Sequence, residues 1–272
     1  MIWKIGRDKL KYCVLSLFIF INGCKYINTP HSILPPELSI DEYQLVDAPS
    51  IEPLSFLPVS GTSAEILAKH QKEREDILEE NCPFFASSPG TPIQLGDSQL
   101  VALEIYSDPI AGQGALEAVS IQVKRDNEII YTIPAGVGSP ISNYRGLWIY
   151  SNHWVLESAN VNENITNRNE AMLDVFGQIV RDGVLLNERY KYDEAFGFQL
   201  MNGKPFYFYK RNNQIDVSYN NQEILLGYSQ IPHYQCCSAG ALDPRSAKNM
   251  VAFYAQRDGK WYYVEIGVYK KL

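Results

Sequence analysis

This 272-residue chain has no apolar run long enough to cross a lipid bilayer as a helix. The apolar run from Cys13 to Ile21 has about half of the roughly 20 residues that such a helix needs. Basic residues are also scarce, with 24 Lys and Arg against 31 Asp and Glu and a formal net charge of −7. Because a negative surface repels nucleic acid and anionic lipid headgroups, the charge argues against both as direct partners.

Metal and cofactor motifs are scarce as well. His233 is close in sequence to Cys236 and Cys237, but no second ligand pair follows at the spacing of a zinc finger, so we expect no metal site. Gly136 and Gly138 lie in a loop after a strand, and no helix pattern follows them. They therefore do not predict a phosphate-binding loop, and no cofactor is expected.

The N-terminus has the layout of an export signal. Four basic residues precede the apolar run, namely Lys4, Arg7, Lys9 and Lys11, and the run ends at Ile21-Asn22-Gly23-Cys24. A cysteine directly after a small residue resembles the signal of bacterial lipoproteins. The resemblance implies that residues 1–23 are a signal peptide and that fatty acids such as palmitate modify Cys24. It also implies a membrane-anchored protein outside the cytosol, at the cell surface or in the periplasm; ordinary cleavage and secretion is the alternative.

The mature chain would carry 20 basic and 30 acidic side chains. Its first part, residues 24–61, contains six prolines and no sustained apolar period; the prolines are Pro30, Pro35, Pro36, Pro49, Pro53 and Pro58. Proline fixes φ and offers no backbone donor, so the segment predicts an extended tether. A tail lying on the domain is the alternative for its second half.

One helix is predicted over residues 62–82. Thr62 and Glu65 have the spacing of a capping box. Five residues then recur on one helical face, namely Ile66, Leu67, His70, Ile77 and Leu78. Such a narrow apolar stripe favours packing against the chain's own domain.

Residues 95–272 predict a β-domain made of hairpins. Turn dipeptides separate its short apolar and aromatic runs at Asp126-Asn127, Ser151-Asn152, Asp182-Gly183, Asn202-Gly203, Asn220-Asn221 and Asp258-Gly259. Such dipeptides supply the positive φ of a tight hairpin. The predicted fold is therefore all-β with one N-terminal helix.

The hairpins repeat in units of about 40 to 55 residues, the length of a four-stranded propeller blade. The stretch from Ala195 to Tyr228 resembles the propeller repeats of bacterial periplasmic and surface proteins. That resemblance implies a propeller-like array, and a two-sheet β-sandwich is the alternative. In a closed array, Ser120–Lys124 and Glu128–Ile133 are expected to complete the last unit from the N-terminal side.

The remaining cysteines have three possible arrangements. Cys82 can form a disulfide with Cys236 or Cys237, since disulfides persist in exported proteins. A vicinal Cys236–Cys237 bond and three free thiols are the alternatives.

The candidate ligand patch combines Tyr190, Tyr192, Asp193, His233 and Tyr234. We expect a non-catalytic lipoprotein whose β-domain binds an envelope protein or a glycan, or has a structural role. The alternative is an envelope enzyme acting on glycan or peptidoglycan. It would use Cys237 with His233, or a carboxylate pair such as Asp193-Glu194.

Overall fold

In the computed structural model, residues 34–49, 69–79, 88–106, 118–134, 142–161, 175–235 and 237–269 are described. Within these ranges the chain forms four antiparallel sheets of four strands each. Helices are few and short. The prediction of a mainly β fold is therefore confirmed.

The strands follow one another in chain order within three of the sheets. After β1 (Leu38–Gln44) and helix α1 (Gln71–Glu79), sheet I contains β2 (Ile93–Leu95), β3 (Ser98–Tyr106), β4 (Ala118–Arg125) and β5 (Glu128–Pro134). Sheet II contains β6 (Tyr144–Tyr150), β7 (His153–Val161), β8 (Val175–Arg181) and β9 (Val184–Leu185), and helix α2 (Leu186–Tyr190) follows it. Sheet III contains β10 (Glu194–Met201), β11 (Lys204–Arg211), β12 (Gln214–Tyr219) and β13 (Gln222–Tyr228).

Sheet IV joins the two ends of the described chain. It contains β14 (Arg245–Ala247), β15 (Met250–Arg257) and β16 (Lys260–Val268), and its fourth strand is β1. Strand β1 runs antiparallel to β16, in a register that pairs Leu38 with Val268 and Gln44 with Tyr262. The connection between β13 and β14 contains a 3-10 helix, Cys237–Leu242.

The predicted hairpin turns are all confirmed. Both central residues of each of the six turn dipeptides, and of Asn212-Asn213 between β11 and β12, have φ between 44° and 80°. These positive angles give the tight turns whose twist matches that of the flanking strands. The local pattern of Asn, Asp and Gly therefore determines where the strands end.

One expectation about the strands is wrong, and part of the predicted tether is a strand. Ser120–Lys124 and Glu128–Ile133 do not complete the last unit, because they belong to β4 and β5 and pair within sheet I. That unit is completed by β14 and by β1, which falls inside the predicted tether. The strand forms because its apolar residues Leu38 and Ile40 pack into the core, and the flanking prolines lie outside it.

Helix α1 begins at Gln71, so the predicted helix over residues 62–82 is wrong at Lys69 and His70, while residues 62–68 and 80–82 lie outside the described ranges. His70 precedes it with a φ of 60°, a left-handed conformation outside the helix. Ile77 is buried in a core cluster with Leu45 and Tyr263, so the helix packs on its own domain. In the described part of the chain, no helix is both long and apolar enough to cross a membrane.

The core lies between successive sheets. One cluster joins sheets I and II around Leu100, Ile121 and Leu156, and a second joins sheets II and III around Val155 and Phe198. A third joins sheets III and IV, where the rings of Phe208 and Phe253 meet edge to face with centroids 4.9 Å apart. Each sheet thus buries apolar side chains against the next sheet along the chain.

Candidate functional site

A cluster of charged side chains inside the β-domain surrounds the β13–β14 connection, residues 229–244. Gln230 of this connection pairs with Gln256 of β15, and the next residues approach sheets II and III. Two residues of the predicted patch, His233 and Tyr234, lie here. We call the following six residues the polar cluster: Arg145, Glu157, Glu194, His233, Tyr234 and Asp243.

Glu157 is the buried centre of the polar cluster. It lies on β7, is 3% exposed, and its Oε1 accepts hydrogen bonds from the Tyr234 hydroxyl (2.5 Å) and the Gly197 amide (2.9 Å). Its Oε2 accepts a hydrogen bond from the Phe198 amide at 2.6 Å. Burial raises the pKa of the Glu157 carboxyl, although these three donors and the nearby Arg145 oppose the rise.

A β-bulge directs those two amides toward Glu157. The pairing of β10 with β11 shifts register between Phe196 and Gln199, and Gly197 has a φ of 66°. A bulge interrupts the ladder and redirects backbone groups, which here point away from sheet III and toward sheet II. Glu157 therefore fastens sheet II to sheet III.

Gly177 on β8 allows the close approach of these elements. A Cβ at this position would lie 2.4 Å from the Ala195 carbonyl oxygen and 2.7 Å from the Tyr234 hydroxyl. Real Cβ atoms essentially never come so close to other atoms, so the position requires glycine. The missing side chain makes room for both β10 and the connection.

His233 bridges the connection and β10. Its Nε2 lies 2.8 Å from Glu194 Oε1, its Nδ1 lies 2.7 Å from the Ile231 carbonyl oxygen, and its ring stacks on Phe196 at 3.7 Å. Both nitrogens face oxygen acceptors, an arrangement that the doubly protonated imidazolium satisfies at both ends. Burial alone lowers the pKa of His233, but the charge and hydrogen bond of Glu194 and the bond to Ile231 outweigh it, so the pKa is raised.

Arg145 and Asp243 complete the polar cluster. The Arg145 guanidinium carbon lies 4.6 Å from the centre of the Tyr234 ring. Asp243 accepts the Gln235 amide at 3.1 and 3.2 Å, so the carboxylate holds the connection's own backbone. Burial raises the pKa of Asp243 to about 6, against the opposing effects of the Gln235 amide, His233 and Arg145.

These contacts limit what the polar cluster can do chemically. Glu157 accepts three hydrogen bonds, and Glu194 accepts both His233 and the Gly177 amide, the latter at 2.8 Å. Both ring nitrogens of His233 are engaged with protein oxygens, and in the imidazolium form neither has a lone pair to act as a general base. These contacts hold β7, β8, β10 and the β13–β14 connection together.

The cysteine predictions lie outside the described residues. Cys24, Cys82 and Cys236 are not among them, and of Cys237 only the backbone is described. The disulfide alternatives and the pairing of Cys237 with His233 therefore stay predictions.

The rest of the predicted patch forms a separate group. Tyr192 is buried, stacks on Tyr209 at 4.3 Å and donates its hydroxyl to Glu223 at 2.8 Å, and the Tyr190 ring lies 5.5 Å from it. Asp193 accepts the Asn212 amide in the β11–β12 turn at 3.1 Å. In the described ranges, no hydrogen bond or ring contact links Tyr190, Tyr192 or Asp193 to His233 or Tyr234. The structure therefore divides the predicted patch in two.

An arginine closes the first of these two groups. Arg211 binds both carboxylate oxygens of Glu223, at 2.7 and 3.1 Å. Its guanidinium also lies 5.0 Å from the Tyr192 ring centre and 5.3 Å from the Tyr209 ring centre. The tyrosines thus already hold a cation of their own chain.

Sheet IV repeats the Arg–Glu pair, with tyrosine rings placed differently around it. Arg257 binds both oxygens of Glu42, at 2.6 and 3.0 Å, and lies about equally far from the rings of Tyr228 (5.1 Å) and Tyr262 (5.0 Å). In both sheets the arginine ends the second strand and the glutamate lies on the fourth. Both arginines have a signal in the sequence that the predictions did not use, since each directly precedes a turn dipeptide.

The sequence-based predictions also missed Arg145, Glu157 and Asp243. Glu157 has a weak signal, as a lone acid that follows the apolar run Trp154-Val155-Leu156. Arg145 and Asp243 have none, because charged residues near the ends of strands are common on protein surfaces.

A buried ion pair fixes helix α1. The Nη2 of Arg74 lies 3.0 Å from Glu265 Oε2, and its Nε also binds this carboxylate, which is fully buried on β16. Beside it, His70 bonds Asp41 at 3.0 Å and stacks on Tyr269 at 3.4 Å. His70 therefore packs at the surface of sheet IV.

In the part of the chain that the structure describes, no group of three or more His, Cys, Asp or Glu side chains is placed to hold a metal ion. Comparison with known proteins gives no relative, since no protein-family model and no curated protein matches the chain.

Proposed function

We propose that this protein is a membrane-tethered lipoprotein outside the cytosol, with a non-catalytic β-domain that binds a partner or supports envelope structure. The observation that carries the proposal is the use made of the buried charged groups. The hydrogen-bonding groups of these side chains are bonded to backbone amides, to a backbone carbonyl and to one another, as seen at Glu157, Glu194 and His233. Buried charges arranged in this way fix a structure and present nothing to a substrate.

The proposed location outside the cytosol rests on the N-terminal sequence. The basic residues, the short apolar run and Cys24 support export followed by acylation. Two or more acyl chains make a durable anchor, at roughly 0.8 kcal/mol for each buried methylene. Strand β1 belongs to sheet IV and helix α1 packs on that sheet, and both follow Cys24 in the sequence before the other three sheets begin.

We further propose that the four sheets form a propeller-like array. Three observations support it over a two-sheet sandwich: the sheets are separate four-stranded meanders, each contacts the next along the chain, and β1 pairs with the last strand β16. The Arg–Glu pair shared by sheets III and IV, with arginine at the end of the second strand and glutamate on the fourth, supports a structural repeat. In such an array, the N-terminal strand closes the last blade and leaves no unpaired strand there.

The partner class is proposed from charge and location. A mature chain with 20 basic and 30 acidic side chains disfavours nucleic acid, and an anchored position outside the cytosol favours an envelope protein or a glycan.

Mass spectrometry of the N-terminal peptide tests the anchor. We expect a peptide that begins at Cys24 and carries acyl chains, and we expect Cys24→Ser to abolish both the acylation and the membrane fractionation. Cys82→Ser is the matched control and should leave both unchanged. An intact Met1 on protein recovered from the cytosol would contradict the proposal.

A crystal structure of residues 32–272 tests the array. The propeller-like arrangement requires sheet I to face sheet IV, whereas a sandwich places the sheets in two layers. Two stacked layers would overturn the proposed array and leave the proposed anchor standing.

A further inference from the structure

Strand β5 is the outer edge of sheet I. The sheet has the order β2-β3-β4-β5, so β5 pairs with β4 on one side, and among the described residues no strand pairs with its other side. Five of the seven residues of β5 are exposed, whereas only two of seven are exposed in β13, the fourth strand of sheet III. The outer strand of sheet I is therefore much less covered than its equivalent in sheet III.

The most exposed side chains of β5 include two consecutive isoleucines. Ile129 is 55% exposed and Ile130 is 38% exposed. Successive side chains of a regular strand lie on opposite faces, but here the pairing with β4 shifts register, since Ile129 pairs with Lys124 and Tyr131 with Val123. Ile130 is thus the extra residue of a β-bulge, and both isoleucines meet solvent beside the unpaired edge.

The composition of β5 is that of a strand with a neighbour on each side. The run Ile129–Ile133 contains only β-branched and aromatic residues, and Glu128 is the one charged residue of the strand. Exposed edge strands usually avoid pairing with another chain by being short or charged. In this domain β9 has two residues, β14 has three, and β13 contains Glu223, whereas β5 is both long and uncharged after its first residue.

We propose that β5 is a self-association edge, through which two copies of this chain pair as antiparallel β5 strands and join their two copies of sheet I into one. The inference goes beyond the proposed function and does not depend on it, because it uses only residues of the β-domain.

The side chains of two copies match across such a pair. With Tyr131 at the centre, Ile129 of one copy lies opposite Ile133 of the other. Thr132 then lies opposite Ile130, and the two Tyr131 side chains face each other. Cross-strand pairs of β-branched and aromatic residues stabilise antiparallel sheets, so the strand is complementary to itself.

Charge also permits a second copy at this edge. The chain has a net charge of −7, so two copies repel each other in general. In the pair centred on Tyr131, Glu128 lies opposite Pro134, and no like charges meet across the two strands. Because both copies use the same edge, the assembly closes at two and leaves no β5 unpaired.

The size of the contact sets its strength. A strand of seven residues is about 23 Å long, at roughly 3.3 Å for each residue. One strand edge with its side chains lies at the small end of specific interfaces, below about 1,200 Å². We therefore expect a reversible dimer with a dissociation constant of about 10–100 µM.

Sedimentation velocity of residues 32–272, which contain every described strand and helix, tests the pairing. We expect a reversible monomer–dimer equilibrium over about 5–500 µM protein. Ile129→Lys puts one lysine from each copy into the contact and should weaken dimerisation at least about tenfold. Leu225→Lys is the matched control, because Leu225 is 45% exposed on β13, and it should leave the equilibrium unchanged.

A wild-type protein that stays monomeric up to about 500 µM would overturn the proposal. So would a dimer that both variants weaken equally, or oligomers that grow beyond two copies. If Ile129→Lys does not fold, hydrogen exchange of the wild type decides: slower exchange of the β5 amides at high protein concentration supports the pairing, and exchange independent of concentration contradicts it. None of these results alters the proposed anchor.

Discussion

Removal of the Glu157 carboxylate should greatly destabilise the β-domain. Glu157→Ala leaves three buried donors without an acceptor, namely the amides of Gly197 and Phe198 and the hydroxyl of Tyr234. An unsatisfied buried donor costs about 1–3 kcal/mol. Relaxation and the relief of burying a carboxylate offset part of this, so we expect a loss of about 3–5 kcal/mol in the free energy of unfolding.

Glu157→Gln separates the loss of charge from the loss of the acceptor. The amide keeps the shape of the side chain and one acceptor oxygen, and it removes a charge whose burial raises the pKa of Glu157. Its NH₂ group, however, faces at least one of the three donors. We therefore expect a smaller loss of about 1–2 kcal/mol.

Equilibrium unfolding in urea, followed by tryptophan fluorescence, measures both effects, because Trp154 lies buried on the same strand as Glu157. Glu188→Ala is the control, since Glu188 is exposed on α2 and its loss should cost less than about 0.5 kcal/mol. If the free energy of unfolding of Glu157→Ala lies within about 1 kcal/mol of the wild-type value, the three hydrogen bonds do not fasten sheets II and III, and the role given to Glu157 is refuted.

Three further predictions concern other parts of the fold. Arg74→Ala leaves the buried Glu265 without its cation and should lower the free energy of unfolding in urea by about 3–5 kcal/mol. Arg74→Met combined with Glu265→Gln should recover most of this loss, and no recovery would contradict the role of the ion pair. Gly197→Ala should lower the free energy of unfolding by about 1–3 kcal/mol, because the residue has a φ of 66° and an added Cβ would lie 3.0 Å from the Phe208 ring. Gly203→Ala is the control, with a φ of 74° and open space, and it should lower the free energy of unfolding less. An equal loss in both variants would show that the contact with Phe208 is unimportant. Burial raises the pKa of Tyr43 to about 12, so the stability that the neutral phenol contributes is complete below about pH 10, its value in the unfolded chain, and is lost between pH 10 and 12. The free energy of unfolding should therefore fall less between pH 9 and pH 11 in Tyr43→Phe than in the wild type. An identical fall in both proteins would refute this role of Tyr43.

Local sequence was enough to predict the mainly β character and most hairpin turns of the β-domain. Seven of the two-residue turns have Asn, Asp, Ser or Gly with positive φ at both positions, and six of them are the dipeptides predicted from the sequence. The prediction of these turns succeeds because a two-residue hairpin requires positive φ at two adjacent residues, and Asn, Asp and Gly are the residues that adopt positive φ most readily. The sequence also shows the aromatic residues that fill the core, including Phe206, Phe208 and Phe253.

The candidate site could not be predicted in the same way. The sequence grouped Tyr192 and Asp193 with His233 and Tyr234, but Arg211 and Glu223 enclose the first pair, while Glu157 and Glu194 bind the second. Which carboxylate meets which partner depends on how the sheets face one another. Glu157 and Gly197, for example, lie 40 residues apart in the chain.

The sequence by itself determined the turns, the alternation of the strands and the mainly β character, because each depends on neighbouring residues. Only the tertiary structure decided that Leu38–Gln44, flanked by prolines and predicted as tether, pair with the last strand. It also decided that Glu157, Glu194 and His233 form one buried cluster. The physical reason is the same in both cases: an edge strand and a buried charge are stabilised by partners far away in the chain, and local composition does not identify those partners.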